Sequence, residues 1–201
     1  MLSQLRPAVV LLTVMTLLTG VAYPLAMTGI GQLLFPDQAN ASLITHEGTV
    51  VGSELVGQKF TRAEYFHGRP SAVSYDASSS GGTNLAPSSR ALVETVVERA
   101  RRISSETGVV QVPIDLVTSS GSGLDPHISP ESAFLQIERV SKARNIPATE
   151  VHRMVVAHTE PPLWGLFGAP AVNVLKLNVA LDRRSSENAG IKEGMNGSSA
   201  E

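Results

Sequence analysis

PAVVLLTVMTLLTGVAYPLAMTGIGQLLFP, Pro7 to Pro36, contains no Asp, Glu, Lys, Arg or His. A crossing of the hydrocarbon core takes about 20 mostly apolar residues, so this run is long enough to span a bilayer as a helix. At about 1.5 Å per residue it would reach roughly 45 Å, with room to tilt and still enter the headgroups. Everything after it is therefore expected to be a domain held at a membrane surface.

A secretory signal is the rival explanation of such a segment, and Ala39-Asn40-Ala41 would serve as its cleavage site. A signal core, however, is only about 7 to 15 residues long, and this longer run also carries Gly20, Pro24, Gly29 and Gly31. A retained anchor is the expectation. Pro24 removes a ladder hydrogen bond, a loss tolerated in membranes where neighbouring helices re-satisfy the backbone. Thr16 with Gly20, and Ala22 with Ala26, place small residues four apart, a spacing that lets helices approach closely. Gly20, Ala22 and Ala26 are thus candidate contacts to partner helices. Arg6 precedes the span, Asp37 and Glu47 come after it, and the next Lys or Arg is Lys59. That bias puts the amino terminus in the cytoplasm and the domain outside, periplasmic or extracellular.

The chain has 201 residues, so the part beyond the span is long enough for one ordinary domain with its own core. A net charge of −2 offers no basic field for nucleic acid. The absence of cysteine excludes disulfides, thiolate metal sites and cysteine nucleophiles. With aromatics at only 4%, the core must be built from Val, Leu, Ile and Ala. Three parts are expected: residues 1–36 with the span, an α+β domain over 37–182, and a disordered tail over 183–201.

Within the domain, Phe35 to Thr45 reads as a polar exit from the bilayer, and Val50 to Phe60 as a short strand interrupted by glycine. Arg62 to Ala86 is a long loop rich in Ser, Gly, Asn, Tyr and Pro, whose aromatics and Arg69 favour an ordered, contact-making segment. Leu92, Val93, Val96, Val97, Ala100 and Ile103 recur at helical spacing, with Gly108 as the stop. Val110, Val112, Ile114 and Leu116 alternate as a strand would, with Pro113 marking an edge or bulge. Ser129, Pro130 and Glu131 open a helix whose buried stripe is Ala133, Phe134, Ile137, Val140 and Ala143. A further helix covers Thr149 to His158 and ends before Pro161 and Pro162. Trp164 and Phe167 are expected at the surface or an interface. A last strand runs from Ala171 to Leu181, and beyond Asp182 no apolar period remains.

Asp125, His127 and the serines between Ser119 and Ser129 gather a base and nucleophiles in one stretch, which makes a membrane-tethered hydrolase the alternative function. No G-x-S-x-G elbow is present, and Asp or Ser beside Pro is commonly turn and cap chemistry. The five histidines form neither H-E-x-x-H nor a pair at metal spacing, so no metal is expected. Ser119-Ser120-Gly121-Ser122-Gly123 could present backbone N–H groups to a phosphate, but it lacks the P-loop pattern and its lysine. Asn84, Asp125 and His127 are candidates for fixing the conspicuous loops or meeting a partner.

TGVAYPLAMTGIGQLLFP (Thr19–Pro36), VGSELVGQ (Val51–Gln58), YFHGRPSA (Tyr65–Ala72), SGGTNLAPSS (Ser80–Ser89), VPIDLVTSSGSGLDPHISP (Val112–Pro130) and FGAPAVNVLKLNVAL (Phe167–Leu181) occur in this order. Together they resemble the C subunit of the bacterial Kdp potassium-transporting ATPase, from about Leu11 to Asp182. The resemblance implies a non-catalytic, single-span subunit of a four-subunit pump in the bacterial cell membrane. In that pump one partner conducts K+, a P-type ATPase hydrolyses ATP, and a further small subunit has a single span. It also implies a part in assembly and a catalytic chaperone role that raises the ATPase subunit's affinity for ATP. If this chain touches that nucleotide, the resemblance points to Ser119, Ser120, Gly121, Ser122, Gly123 and Gln136. No cofactor is expected to bind tightly to this chain itself.

Overall fold

The computed structural model describes residues 4–197. The chain up to Leu43 is one compact unit, and from Ile44 onward it is a second.

In the first unit α1 (Leu5–Leu17), a π-helical turn (Leu18–Ala22) and α2 (Tyr23–Leu34) run on as one helix, long and apolar enough to cross a membrane. None of its residues is buried against the chain itself. The wider turn has a local cause. Pro24 has no N–H and its ring crowds the carbonyl four residues back, and the Tyr23 N–H bonds instead to Leu18 O, five residues back. Thr13 and Thr19 return their hydroxyls to Val9 O and Met15 O at 2.8 and 2.7 Å. Both side chains therefore satisfy their donors within the helix, as a lipid environment requires. The expected polar exit contains a short helix, α3 (Pro36–Ala39), and the start of β1 (Leu43–His46).

β1 pairs with β2 (Thr49–Ser53) across Glu47 and Gly48, both at positive φ, as a two-residue hairpin turn needs. The strand read from Val50 to Phe60 is thus shorter and begins earlier. The long loop comes next, and then α4 (Arg90–Thr107), closed as expected by Gly108 in the left-handed conformation. After a short α5 (Ile114–Val117), α6 (Pro130–Arg144) begins at Ser129, whose side chain accepts the Ser132 N–H at 3.1 Å, and ends on left-handed Asn145. α7 (Ala148–Ala157) packs against α6. β3 (His127–Ile128), β5 (Ala171–Asn173) and β4 (Thr159–Glu160) form an antiparallel sheet with β5 central, so that His127 faces Asn173 and Val172 lies between Ile128 and Thr159. The core gathers Phe66, Ile128, Ala133, Ile137, Val140, Val151, Val155, Val172, Leu177 and Leu181. Mixed helix and strand behind one apolar helix is the α+β class expected.

Three expectations are corrected. Val110 to Leu116 is not a strand: Val110 is 92% exposed, and after Pro113 the chain turns into α5. The alternation misled because its apolar residues do not share a buried face. The final strand stops at Asn173, where α8 (Val174–Gly197) begins. Val174, Leu175, Leu177, Val179 and Leu181 are all buried, and a helix enclosed on most sides has no empty face to reveal its period. The tail from Arg183 is likewise helical as far as Gly197, its first turns fixed by polar contacts: Arg144–Asp182 and Arg184–Glu150, both at 2.7 Å. Ser198 to Glu201 lie outside the described residues.

Candidate functional site

The YFHGRPSA segment has no regular secondary structure, yet its backbone is not left to solvent. Arg139 donates to the carbonyls of Ala63 (2.6 Å) and Tyr65 (2.9 Å), and Arg144 to that of Glu64 (2.7 Å). Asn178 of α8 accepts the Phe66 N–H at 2.8 Å and donates to Phe66 O at 3.0 Å. Gln136 of α6 does the same for His67, at 2.8 and 3.1 Å. Five consecutive carbonyls are thus held by side chains of two helices, which supply what a neighbouring strand would. Phe66, gripped by the Asn178 amide, is fully buried in the core.

Gln136 is consequently saturated. Its Oε1 accepts from His67 N and from Arg139 at 2.7 Å, and its Nε2 donates to His67 O and to Ser132 O at 3.1 Å. An amide offers two donors and one two-lone-pair acceptor, all in use here.

Ser119 to Gly123 closes onto the same long loop. Ser120 N–H donates to Pro70 O at 2.9 Å, Ser71 Oγ to Gly123 O at 2.7 Å, and Gly81 N–H to Ser122 O at 2.8 Å. Arg99 donates to Ser119 Oγ at 3.2 Å, and the Gly123 N–H to Ser120 Oγ at 3.1 Å. The approach is close enough to demand glycine: a Cβ on Gly123, at φ 71°, would sit 2.5 Å from Val73 and 2.7 Å from Gly81 O. Ser120, Ser122 and Gly123 thus join this loop to its neighbour in a clasp.

Asp125 and His127 sit at the end of that clasp. Asp125 pairs with Arg69 at 3.1 Å and accepts the His127 N–H at 3.0 Å, the turn chemistry weighed against catalysis. The His127 ring lies 3.8 Å from Asp125 on one side and 3.8 Å from Glu160 on the other. Lys176 lies 3.2 Å from Glu160 and 2.8 Å from Glu54, and the hydrogen bond to Glu54 is the main cause holding its pKa above the usual lysine value. The nearby serine hydroxyls have partners other than the His127 ring. Ser129 and Ser132 turn instead to Asp115, and Ser120 and Ser122 to each other at 3.2 Å. Asn84 lies apart, exposed and left-handed at φ 52°, a conformation asparagine tolerates. Gly20, Ala22 and Ala26 stand exposed along the first unit's helix.

Beside the Gln136 amide, an open groove of 820 Å³ is lined by Lys59, Arg69, Arg99, Arg102 and Arg139, with Glu106 as its acid. Burial, and then the Arg139 charge, pull the His67 pKa below the usual histidine value. Burial likewise raises Tyr75, whose hydroxyl donates to Arg69 O.

The sequence profile of the family described as KdpC, K+-transporting ATPase, c chain, matches residues 5–183. The chain belongs to the KdpC family. A relative from Rhodopseudomonas palustris is 50% identical over 196 residues, covering 90% of this chain and 98% of its own length. One from Bradyrhizobium diazoefficiens is 50% identical over 201 residues, 93% of this chain and 100% of the relative. One from Gemmatimonas aurantiaca is 50% identical over 196 residues, 96% and 98%. All three are described as the KdpC subunit of a potassium-transporting ATPase, a subunit rather than an enzyme in its own right.

Sequence reasoning missed the most connected side chains of the KdpC fold: Asn178, Asn173, Arg139 and Arg144. One signal was available for the asparagines. An amide inside the apolar run VNVLKLNVAL must find partners once buried, and the nearest unpaired backbone is what it finds.

Proposed function

We propose that this chain is the accessory subunit of a high-affinity, ATP-driven potassium uptake complex of the bacterial cell membrane. Its span packs against membrane partners through Gly20, Ala22 and Ala26. Its domain, outside the cytoplasm, clamps the K+-conducting subunit and so stabilises that subunit's assembly with the P-type ATPase subunit and the small single-span subunit. The observation that carries this is the family match, which runs unbroken through both span and domain. The charge bias of Arg6 against Asp37 and Glu47 supports the orientation. The boundaries at residues 36 and 182 belong to the same proposal, with the start of α8 assigned to the domain.

The effect on ATP affinity is then exerted through the assembly, without nucleotide on this chain. In support, Gln136 has no free hydrogen-bonding capacity and the Ser119–Gly123 loop is engaged by its neighbour loop. The absence of cysteine allows a direct test of topology. A Ser88→Cys chain in intact cells should react with a membrane-impermeant maleimide added outside; labelling only after permeabilisation would overturn the orientation. Calorimetry of the full chain with millimolar ATP should give no heat. Saturable heat that is lost in Ser120→Ala would return nucleotide binding to the loop.

A further inference from the structure

PPLWGLFGAP (Pro161–Pro170) joins β4 to β5 and takes no part in the clasp or the core. Its tip is apolar and bare: Leu163 and Phe167 are 62% exposed, Trp164 and Leu166 82%. Trp164 and Phe167 meet edge to face, their ring centroids 6.2 Å apart, and leave their outer surfaces open. From Pro161 to Leu175 there is no charged residue.

The tip is also a closed structure. Leu163 N–H donates to Phe167 O at 2.9 Å and Phe167 N–H to Leu163 O at 3.0 Å, while Gly165 N–H and Leu166 N–H bond to Pro162 O and Leu163 O. Trp164 and Gly165 take the left-handed conformations that make so tight a turn. Both strands at its base belong to the three-stranded sheet, so the hairpin is held at its root. Four large apolar side chains are thereby presented to the outside on a tightly hydrogen-bonded backbone.

We propose that the Leu163–Phe167 tip inserts into the interfacial region of the bilayer in which the chain is anchored. This rests on Leu5–Leu34 being the membrane span. Three features point to lipid. First, the same chain carries Leu5–Leu34, an apolar helix long enough to cross a membrane, so on that reading a bilayer belongs to its surroundings. Second, a backbone with its own hydrogen bonds can enter an environment poor in water without stranding amides, and a charge-free stretch leaves no ion to desolvate. Third, an indole with an apolar body and one N–H is the side chain that membrane interfaces enrich. The indole N–H is the tip's one side-chain donor, so little polar surface must leave water on entry.

Trp164 is the only tryptophan, so its fluorescence reports this tip alone. The full chain is reconstituted in lipid nanodiscs, with and without lipids brominated near the headgroup end of the acyl chain. Insertion predicts a blue-shifted emission that loses about half its intensity with brominated lipid, and Leu166→Ser/Phe167→Ser should restore a water-like spectrum. Alkaline carbonate extraction of the same chain from vesicles reads the span separately. A chain that resists extraction but whose Trp164 is unquenched and water-like overturns the insertion and leaves the span standing. Extraction of the chain overturns both. Shielding of Trp164 that develops only when the other subunits of the complex are added makes the tip a protein contact and overturns the lipid assignment.

Discussion

Two stretches of this domain lack regular structure and are rich in Pro and Gly, and they have opposite fates. Ala63 to Gly82 makes the contacts its aromatics and Arg69 favour: its first carbonyls are taken up by Arg139, Arg144, Asn178 and Gln136, and Phe66 is driven into the core. Pro161 to Pro170, with Leu, Trp, Leu and Phe within five residues, leaves its tip uncovered, in keeping with the surface expected of Trp164 and Phe167. The difference lies in who satisfies the backbone. Side chains of α6 and α8 pair the first loop, so it can be buried; the second pairs itself, so nothing obliges the fold to cover it.

The contrast breaks most visibly at Asn178. Asn178→Ala strands the N–H and C=O of Phe66 inside the core, and each unpaired group costs about 1–3 kcal/mol, so a loss of about 2–6 kcal/mol is expected. Thermal unfolding of the full chain in detergent, monitored by near-ultraviolet circular dichroism, should show a Tm lower by about 10 °C. An unchanged Tm would mean that the amide grip contributes nothing.

His67 sharpens the same comparison through pH. Its folded pKa lies below the unfolded value of 6.5, so the unfolded chain takes up the proton first as pH falls. Stability should decline from pH 6.5 down to the folded pKa and change no further from this group at lower pH. His67→Gln should flatten that part of the stability-versus-pH curve relative to the parent chain, and an identical slope in both would remove His67 from the account. The smallest effect belongs to the second loop: Leu166→Ser, at an exposed position, should change stability by no more than about 0.5 kcal/mol. A large loss there would show that the tip packs against the fold after all.

Several features were legible because one local property sufficed. An uncharged apolar run longer than a bilayer is wide marks a candidate span, and α4, α6 and α7 were marked by period and by Gly108, Ser129 and Pro130, although Phe134 and Ala143, read into the buried stripe of α6, are exposed. The alternating strand pattern failed at Val110 and Ile114, which no neighbouring strand or core receives, and again at α8, where burial on most sides erased the helical period. At the candidate site, Asp125 was visible as a turn residue, whereas the saturation of Gln136 was not.

The order of motifs, the span and the helix starts were therefore properties of the chain, since each depends on residues a few positions apart. The grip of Asn178 on Phe66 and the clasp at Gly123 were decided only in three dimensions. They turn on which unpaired N–H and C=O groups meet which side chains from over a hundred or a few dozen positions away, and no local period records that meeting.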